Sequence, residues 1–264
     1  MPGFWTSFTK KNNQNKTMKK DLVSITNFTA DEIISILLLA KKLKTQSLQK
    51  NASLLKNKSL VMIFEKPSLR TKLSFDIAMN QFGGHTVFFG QQEIDLGKRE
   101  SIEDIAKVIS SMGNILMART FHHTTIQTLA KHANIPVING LSKLEHPCQT
   151  LADLMTILEK KGRVKNIKIA FIGDGENNVT HSLCLASAIL GIDFTCASPN
   201  GFFMKEEIVN KAKEIAKRTG TQIAQTNDPK KAVTNADIIY TDTWVSMGNE
   251  KEKKERLQIF TPYK

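Results

Sequence analysis

Cysteine is scarce. Cys148, Cys184 and Cys196 are the only three in 264 residues, and no two of them stand in CxxC spacing. An odd, scattered set argues against a disulfide framework or a cysteine zinc site and fits a reducing compartment such as the cytoplasm. Aromatic residues are also few, at 7%. Nucleic-acid binding would favour a basic stripe interleaved with rings, so no nucleic-acid partner is expected. No apolar run, Ile36 to Ala40 included, exceeds five residues, against the roughly 18 of a membrane span. Acid is in deficit, with 25 Asp+Glu against 37 Lys+Arg and a formal net charge of +12. The lysines are scattered along the chain, so the excess reads as solvated surface with a local positive field around an anionic substrate. Residues 1–18 carry Lys10, Lys11 and Lys16 but no acid and no arginine. A transit peptide would be Arg-rich and amphipathic, so this stretch reads as a loose tail, or as sequence upstream of a start at Met18.

What is present is ordinary globular protein, 41% hydrophobic and 23% charged, long enough for one large or two modest domains. Thr29-Ala-Asp-Glu opens like a capped helix, continued by Ile33, Ile36, Leu37, Ala40 and Leu43 at helical spacing. Strands are predicted at 60–64, 86–89, 115–118 and 136–138, with helices at 68–82 and 101–112 between them. Gly83-Gly84 stops the first of these helices. A long helix follows from Pro147 to Lys160. A second alternating set then begins, with strands at 167–172, 194–197, 222–225 and 238–241 and helices at 178–190 and 205–218. The alternation predicts an α/β fold of two lobes, each a mainly parallel sheet flanked by helices, joined by the long helix. Ligands in such folds sit outside the carboxyl ends of the strands, where the unusual residues fall.

Four constellations lie there. Phe64-Glu-Lys-Pro-Ser-Leu-Arg-Thr71 turns from strand into helix. Free N–H groups, the helix dipole, the Ser68 and Thr71 hydroxyls and the Arg70 guanidinium suit a phosphate there. The alternative is a Ser68 that only caps and an Arg70 that only decorates the surface. Glu145-His-Pro-Cys-Gln-Thr150 opens the long helix. Its positive end disfavours imidazolium, so His146 is expected neutral and able to donate to a carbonyl oxygen, with Gln149 accepting from an adjacent NH2. A lone histidine at a helix start is the plainer reading. Ile172-Gly-Asp-Gly-Glu-Asn-Asn-Val-Thr-His181 has the first two glycines of a dinucleotide fingerprint, but Asn178 stands where the third should be. No acid follows the next strand to hold a ribose, which argues against a nicotinamide oxidoreductase. The paired amides suggest recognition of a small polar substrate instead. Finally, Asp242-Thr-Trp-Val-Ser-Met-Gly248 follows a strand. Asp242 could bind an ammonium with Ser246 orienting it, or could merely cap a turn.

Jointly these segments, with Met117-Ala-Arg119, resemble the aspartate/ornithine carbamoyltransferase family, most closely its ornithine-specific branch, from about Leu22 onward. The Asp-x-Trp-x-Ser-Met-Gly loop discriminates, because aspartate-specific relatives lack it. The resemblance implies carbamoyl transfer from carbamoyl phosphate to the δ-amine of L-ornithine, giving L-citrulline and phosphate, in arginine biosynthesis, the urea cycle or arginine catabolism. It implies a carbamoyl phosphate-binding domain over 19–146 and an ornithine-binding domain over 147–264. Ser68, Leu69, Arg70, Thr71, Arg119, His146 and Gln149 would bind carbamoyl phosphate, with Arg70, Arg119, His146 and Gln149 catalytic. Asn178, Asp242, Ser246 and Met247 would grip ornithine. No cofactor or metal is implied, and a cytoplasmic homotrimer is. The attacking amine must be uncharged, so activity should rise on the alkaline side.

Three departures accompany the resemblance. Leu69 replaces the commoner Thr, which spares a backbone contact but not a hydroxyl one. Asp95, in Glu93-Ile-Asp-Leu-Gly97, stands where many members carry Gln or His in a loop reaching a neighbouring subunit's phosphate site; a carboxylate there would repel the ligand. The sequence also stops at Lys264, before the family's His-Cys-Leu-Pro motif. This reads as a C-terminally truncated second lobe with weak or lost turnover, or as a remnant that binds carbamoyl phosphate or oligomerises without turnover.

Overall fold

Buried parallel strands demand continuous apolar runs, and Leu60-Val-Met-Ile-Phe64 is one, with every residue of its strand buried. The computed structural model describes residues 19–46, 48–245 and 252–264. Its first sheet contains β1 (Ser59–Phe64), β2 (His85–Gly90), β3 (Ile115–Arg119) and β4 (Val137–Leu141), all parallel, in the spatial order β2-β1-β3-β4. The second contains β5 (Lys168–Ile172), β6 (Asp193–Ala197), β7 (Ile223–Thr226) and β8 (Ile238–Tyr240), also parallel, in the order β7-β6-β5-β8. The helices of the first lobe are α1 (Ala30–Thr45), α2 (Leu48–Asn51), α3 (Leu69–Gln81), α4 (Gln91–Ile94), α5 (Ile102–Met112) and α6 (His123–His132). The long connector α7 (Pro147–Lys161) leads to α8 (Asn178–Leu190), α9 (Glu206–Thr219), α10 (Pro229–Val233) and α11 (Lys253–Ile259). The expected two-lobed α/β fold is therefore present.

Both sheets reverse their winding once, and the reversals place the cleft. From β1 the chain winds outward to β2, then returns to lay β3 on the other side of β1. From β5 it winds through β6 to β7, then returns to lay β8 beside β5. At such a switch point adjacent loops leave in opposite directions and open a crevice at the strands' carboxyl ends. The register aligns Phe64 with Arg119 and Phe171 with Tyr240, so the ends of β1 and β3, and of β5 and β8, emerge side by side.

Local signals explain most element boundaries. Thr29 and Glu32 form the reciprocal capping box that starts α1, with Thr29 N–H on Glu32 Oε2 at 2.8 Å. Gly83 ends α3 at φ +83°, where a Cβ would lie 2.2 Å from the Ala52 carbonyl oxygen. Helix α8 is buried on almost all sides, and its polar side chains are satisfied within the fold. Ser187 donates to Leu183 O at 2.7 Å and Thr180 to Asp174 O at 3.0 Å.

The α1 segment belongs energetically to the second lobe as much as to the first. Leu22 adds a parallel bridge to β4, yet Ile25, Ile33 and Leu37 enter the large core built from Leu154, Ile157, Phe171, Leu183 and Phe194. The N-terminal chain thus straps the two lobes together.

Candidate active site

Between the lobes lies a cleft of about 920 Å³, lined by the carboxyl ends of β1, β3, β4 and β8 and the first turns of α3, α7 and α8. Ser68, Leu69, Arg70, Thr71, Arg119, His146, Gln149, Asn178 and Asp242 all line it. Ser246 and Met247 lie outside the described residues.

Glu65 ties the first wall together. Its N–H donates to Arg119 O at 2.9 Å, and its carboxylate accepts the Phe121 N–H at 2.6 Å. Helix α3 then starts on Ser68, which occupies the cap position without capping. Its hydroxyl turns instead to Thr71 Oγ1, 3.0 Å away, and Thr71 Oγ1 accepts from Arg119 Nη1 at 3.2 Å. The first-turn N–H groups are left without a side-chain cap, and Leu69, 79% exposed, offers the cleft only its backbone as a polar contact.

Two cations face this turn. Arg119 is 5% exposed and its Nε is buried with no hydrogen-bond partner. Among the described residues no carboxylate lies within 4.0 Å of Arg119 or Arg70. Burial first, and then the like charge of Arg70, push the Arg119 guanidinium below its ordinary range. Such a pair favours an anion beside it.

His146 holds the cap position of α7, its N–H bonded to Ser182 Oγ at 2.8 Å. Its Nδ1 is buried and unpartnered. Burial, followed by the Arg119 charge, pushes its pKa down to about 4, so the ring is neutral at pH 7. The sequence assigned that neutrality to the helix end; desolvation is the larger cause. Gln149, one turn into the helix, donates from Nε2 to Asp153 Oδ1 at 2.9 Å. Cys148 is no nucleophile, because burial pushes its thiol up to about 12 and Sγ points at Asn139 O, 3.4 Å away.

The second lobe supplies the opposite wall. Asn177 caps α8, accepting the Thr180 N–H at 2.8 Å, and reaches Asp242 Oδ2 at 3.5 Å. Asn178 crosses to the first lobe, donating Nδ2 to Ser142 O at 2.7 Å. The glycines before them serve packing rather than a dinucleotide: a Cβ on Gly173, at φ +138°, would meet Trp244 Nε1 at 3.2 Å. Trp244 stacks on Phe260 at 5.8 Å, and its carbonyl accepts from Arg256 Nε at 2.5 Å. Arg256 also forms a buried ion pair with Asp174. This clamp fixes the root of the Asp242 loop.

Sequence reasoning missed Asp153, Tyr240, Asp174 and Arg256. An acid four residues after Gln149 on a helix was a readable signal for Asp153. The pairing of Asp174 with Arg256, far apart in sequence, had none. Asp95 does not line the cleft of its own chain and pairs with Lys98 at 3.3 Å.

Residues 20–159 match the family model described as "Aspartate/ornithine carbamoyltransferase, carbamoyl-P binding domain". Residues 165–264 match "Aspartate/ornithine carbamoyltransferase, Asp/Orn binding domain". The ornithine carbamoyltransferase of Anoxybacillus flavithermus is 45% identical over 247 residues, covering 92% of this chain and 78% of that protein. The "Ornithine carbamoyltransferase, anabolic" of Pyrococcus furiosus is 46% identical over 245 residues, again covering 92% and 78%. The solved structure of the Pyrococcus furiosus enzyme superposes with a TM-score of 0.88 at 45% identity, covering 93% of this chain and 78% of that one.

Proposed function

The chain belongs to the aspartate/ornithine carbamoyltransferase family, and we propose that its cleft moves the carbamoyl group of carbamoyl phosphate onto the δ-amine of L-ornithine, giving L-citrulline and phosphate. One observation carries the assignment of roles: two guanidiniums with no carboxylate partner among the described residues share a cleft with a neutral imidazole. The Ser68 and Thr71 hydroxyls, the first-turn N–H of Leu69, and Arg70 and Arg119 receive the phosphate dianion. Arg119 and His146 donate to the carbonyl oxygen, and Gln149 accepts from the carbamoyl NH2. The neutral δ-amine attacks the carbonyl carbon, and the developing oxyanion draws on donors already in place. The C–O bond then breaks, and the amine proton leaves with phosphate as HPO4²⁻.

At the other end, Asp242 and the Oδ1 of Asn178 suit an ammonium, with Ser246 and Met247 completing the grip. A carboxylate at Asp242 also repels the second acid of aspartate, which supports ornithine as acceptor. Incubation with carbamoyl phosphate and ornithine is expected to release citrulline and phosphate in equal amounts, faster at pH 8.5 than at pH 7, and aspartate is expected to give no product. Tight binding of a bisubstrate analogue without citrulline would leave only a binding protein.

A homotrimer is the proposed assembly. Val87, Val108 and Met112, the last 74% exposed, surround an apolar groove of about 400 Å³ on the outer edge of the first sheet. Surfaces of this kind mark contacts between chains. Sedimentation is expected to give the mass of three chains; a single-chain mass at micromolar concentration would rule the assembly out. Among the described residues no helix is long and apolar enough to cross a membrane. Three free cysteines support the cytoplasm as its compartment.

A further inference from the structure

Gln149 enters the cleft with one end of its amide already engaged. Nε2 donates to Asp153 Oδ1 at 2.9 Å, one helical turn along α7. A primary amide offers donors at one end and an acceptor at the other, so fixing the nitrogen fixes which end remains. Oε1 takes no hydrogen bond among the described residues, and it is absent from the buried, unpartnered polar atoms. It is the end left to the cleft. Rotating the amide by half a turn would set Oε1 against the Asp153 carboxyl, acceptor facing acceptor.

The surroundings reinforce that orientation. The other neighbour of the Asp153 carboxyl is the Tyr240 hydroxyl, a donor as Nε2 is. Burial and the neighbouring Asp153 charge push the Tyr240 hydroxyl up, keeping it a protonated donor beside the same carboxyl. Burial raises Asp153 itself. In either protonation state Oδ1 remains an acceptor, because Nε2–H already faces it and a carboxyl proton would take the other oxygen.

We propose that Asp153 is a positioning residue that sets acyl specificity: it holds Gln149 with its acceptor toward the substrate, so that the cleft selects an acyl phosphate bearing NH2 over one bearing CH3. The inference rests on the carbamoyl phosphate reading of the cleft and deepens it. A site built around a buried acceptor discriminates strongly against an analogue lacking the matching donor.

The test compares binding of carbamoyl phosphate, acetyl phosphate and inorganic phosphate to the wild type and to Asp153→Asn, by calorimetry at 25 °C. Asparagine is isosteric but can present either end to Gln149, which frees the amide to turn. The wild type is expected to prefer carbamoyl over acetyl phosphate by about 100-fold, and Asp153→Asn to narrow that ratio about tenfold with inorganic phosphate affinity unchanged. On a Gln149→Leu background, Asp153→Asn is expected to change the ratio no further. Thermal unfolding checks that each variant is folded, and Asp153→Ser replaces Asp153→Asn if it is not. An unchanged ratio, or equal weakening of all three ligands, would overturn the positioning role. A wild type indifferent to the two acyl phosphates would instead refute the carbamoyl phosphate reading itself.

Discussion

Replacing Arg119 with methionine is expected to lower kcat/KM for carbamoyl phosphate about 1,000-fold while making the ligand-free protein more stable. The first effect follows from its position. Arg119 leaves the end of β3 at the first sheet's switch point, beside the phosphate turn and the His146 ring. Loss of one preorganised donor to a developing oxyanion costs about 10²–10³ in rate, and the lost phosphate contact adds to it. The second effect follows from burial. The guanidinium is 5% exposed, its Nε has no hydrogen-bond partner among the described residues, and Arg70 adds a like charge nearby. An uncompensated buried charge costs more than the single hydrogen bond to Thr71 returns. A hydrophobic side chain of similar length removes that cost, so the melting temperature should rise by a few degrees. Steady-state kinetics and scanning calorimetry on the same preparation check both halves. A variant that lost activity and stability together would indicate a structural arginine instead.

Lowering the pH from 7 to 5 is expected to cost the fold roughly 2 kcal/mol for each of two histidines. His146 and His181 are both pushed down to about 4, each chiefly by burial. A base whose folded pKa lies below its unfolded value binds fewer protons when folded. Its contribution is therefore complete near neutral pH and is lost as the pH falls through about 6.5 toward 4. Burial raises Glu145, which works the other way, because a carboxyl easier to protonate in the fold gains stability as acid is added. Asp153 and Asp174, raised chiefly by burial as well, act in the same sense as Glu145, so the share of one histidine is read from the difference between the wild type and a non-titrating variant. His181 donates Nδ1 to Leu144 O at 3.0 Å and accepts the Lys205 N–H at 3.4 Å, two roles a glutamine amide can imitate without titrating. Urea unfolding at pH 7, 6 and 5 should show His181→Gln losing roughly 2 kcal/mol less than the wild type between pH 7 and 5. Equal losses would mean that His181 is not buried neutral.

The features legible in the sequence are those whose cause is local. Leu60 to Phe64 could be read as a strand because a strand covered on both faces has no polar side to show. The cap of α1 could be read from Thr29 and Glu32 alone. Ser68, Arg70, Arg119, His146, Asn178 and Asp242 could be placed near one another because each sits where a strand ends or a helix begins, and parallel sheets gather those ends at one edge. Helix α6 was harder, since His123-Thr-Thr begins it without a side-chain cap and only Ile126, Leu129 and Ala130 mark its buried face. The core partners of Ile33 and Leu37 were not legible at all, because strapping the lobes together depends on tertiary packing and not on helical spacing. Gly173 announced a turn correctly, but that it also makes room for Trp244 depends on a residue 71 positions away. Asp153 shows the limit within a single helix: its spacing from Gln149 was visible, whereas its effect on an amide's orientation needed coordinates.

Arg70 and Arg119 together form the seat of a phosphate dianion. That seat is tested most directly by the melting temperature of the wild-type protein against inorganic phosphate at constant ionic strength, with chloride as the control anion. Ligand that binds only the folded state stabilises it in proportion to the logarithm of its concentration. The melting temperature is expected to climb steadily with phosphate, to ignore chloride, and to lose its phosphate response in Arg70→Gln. A melting temperature that phosphate leaves unmoved, or moves equally in Arg70→Gln, would contradict the account.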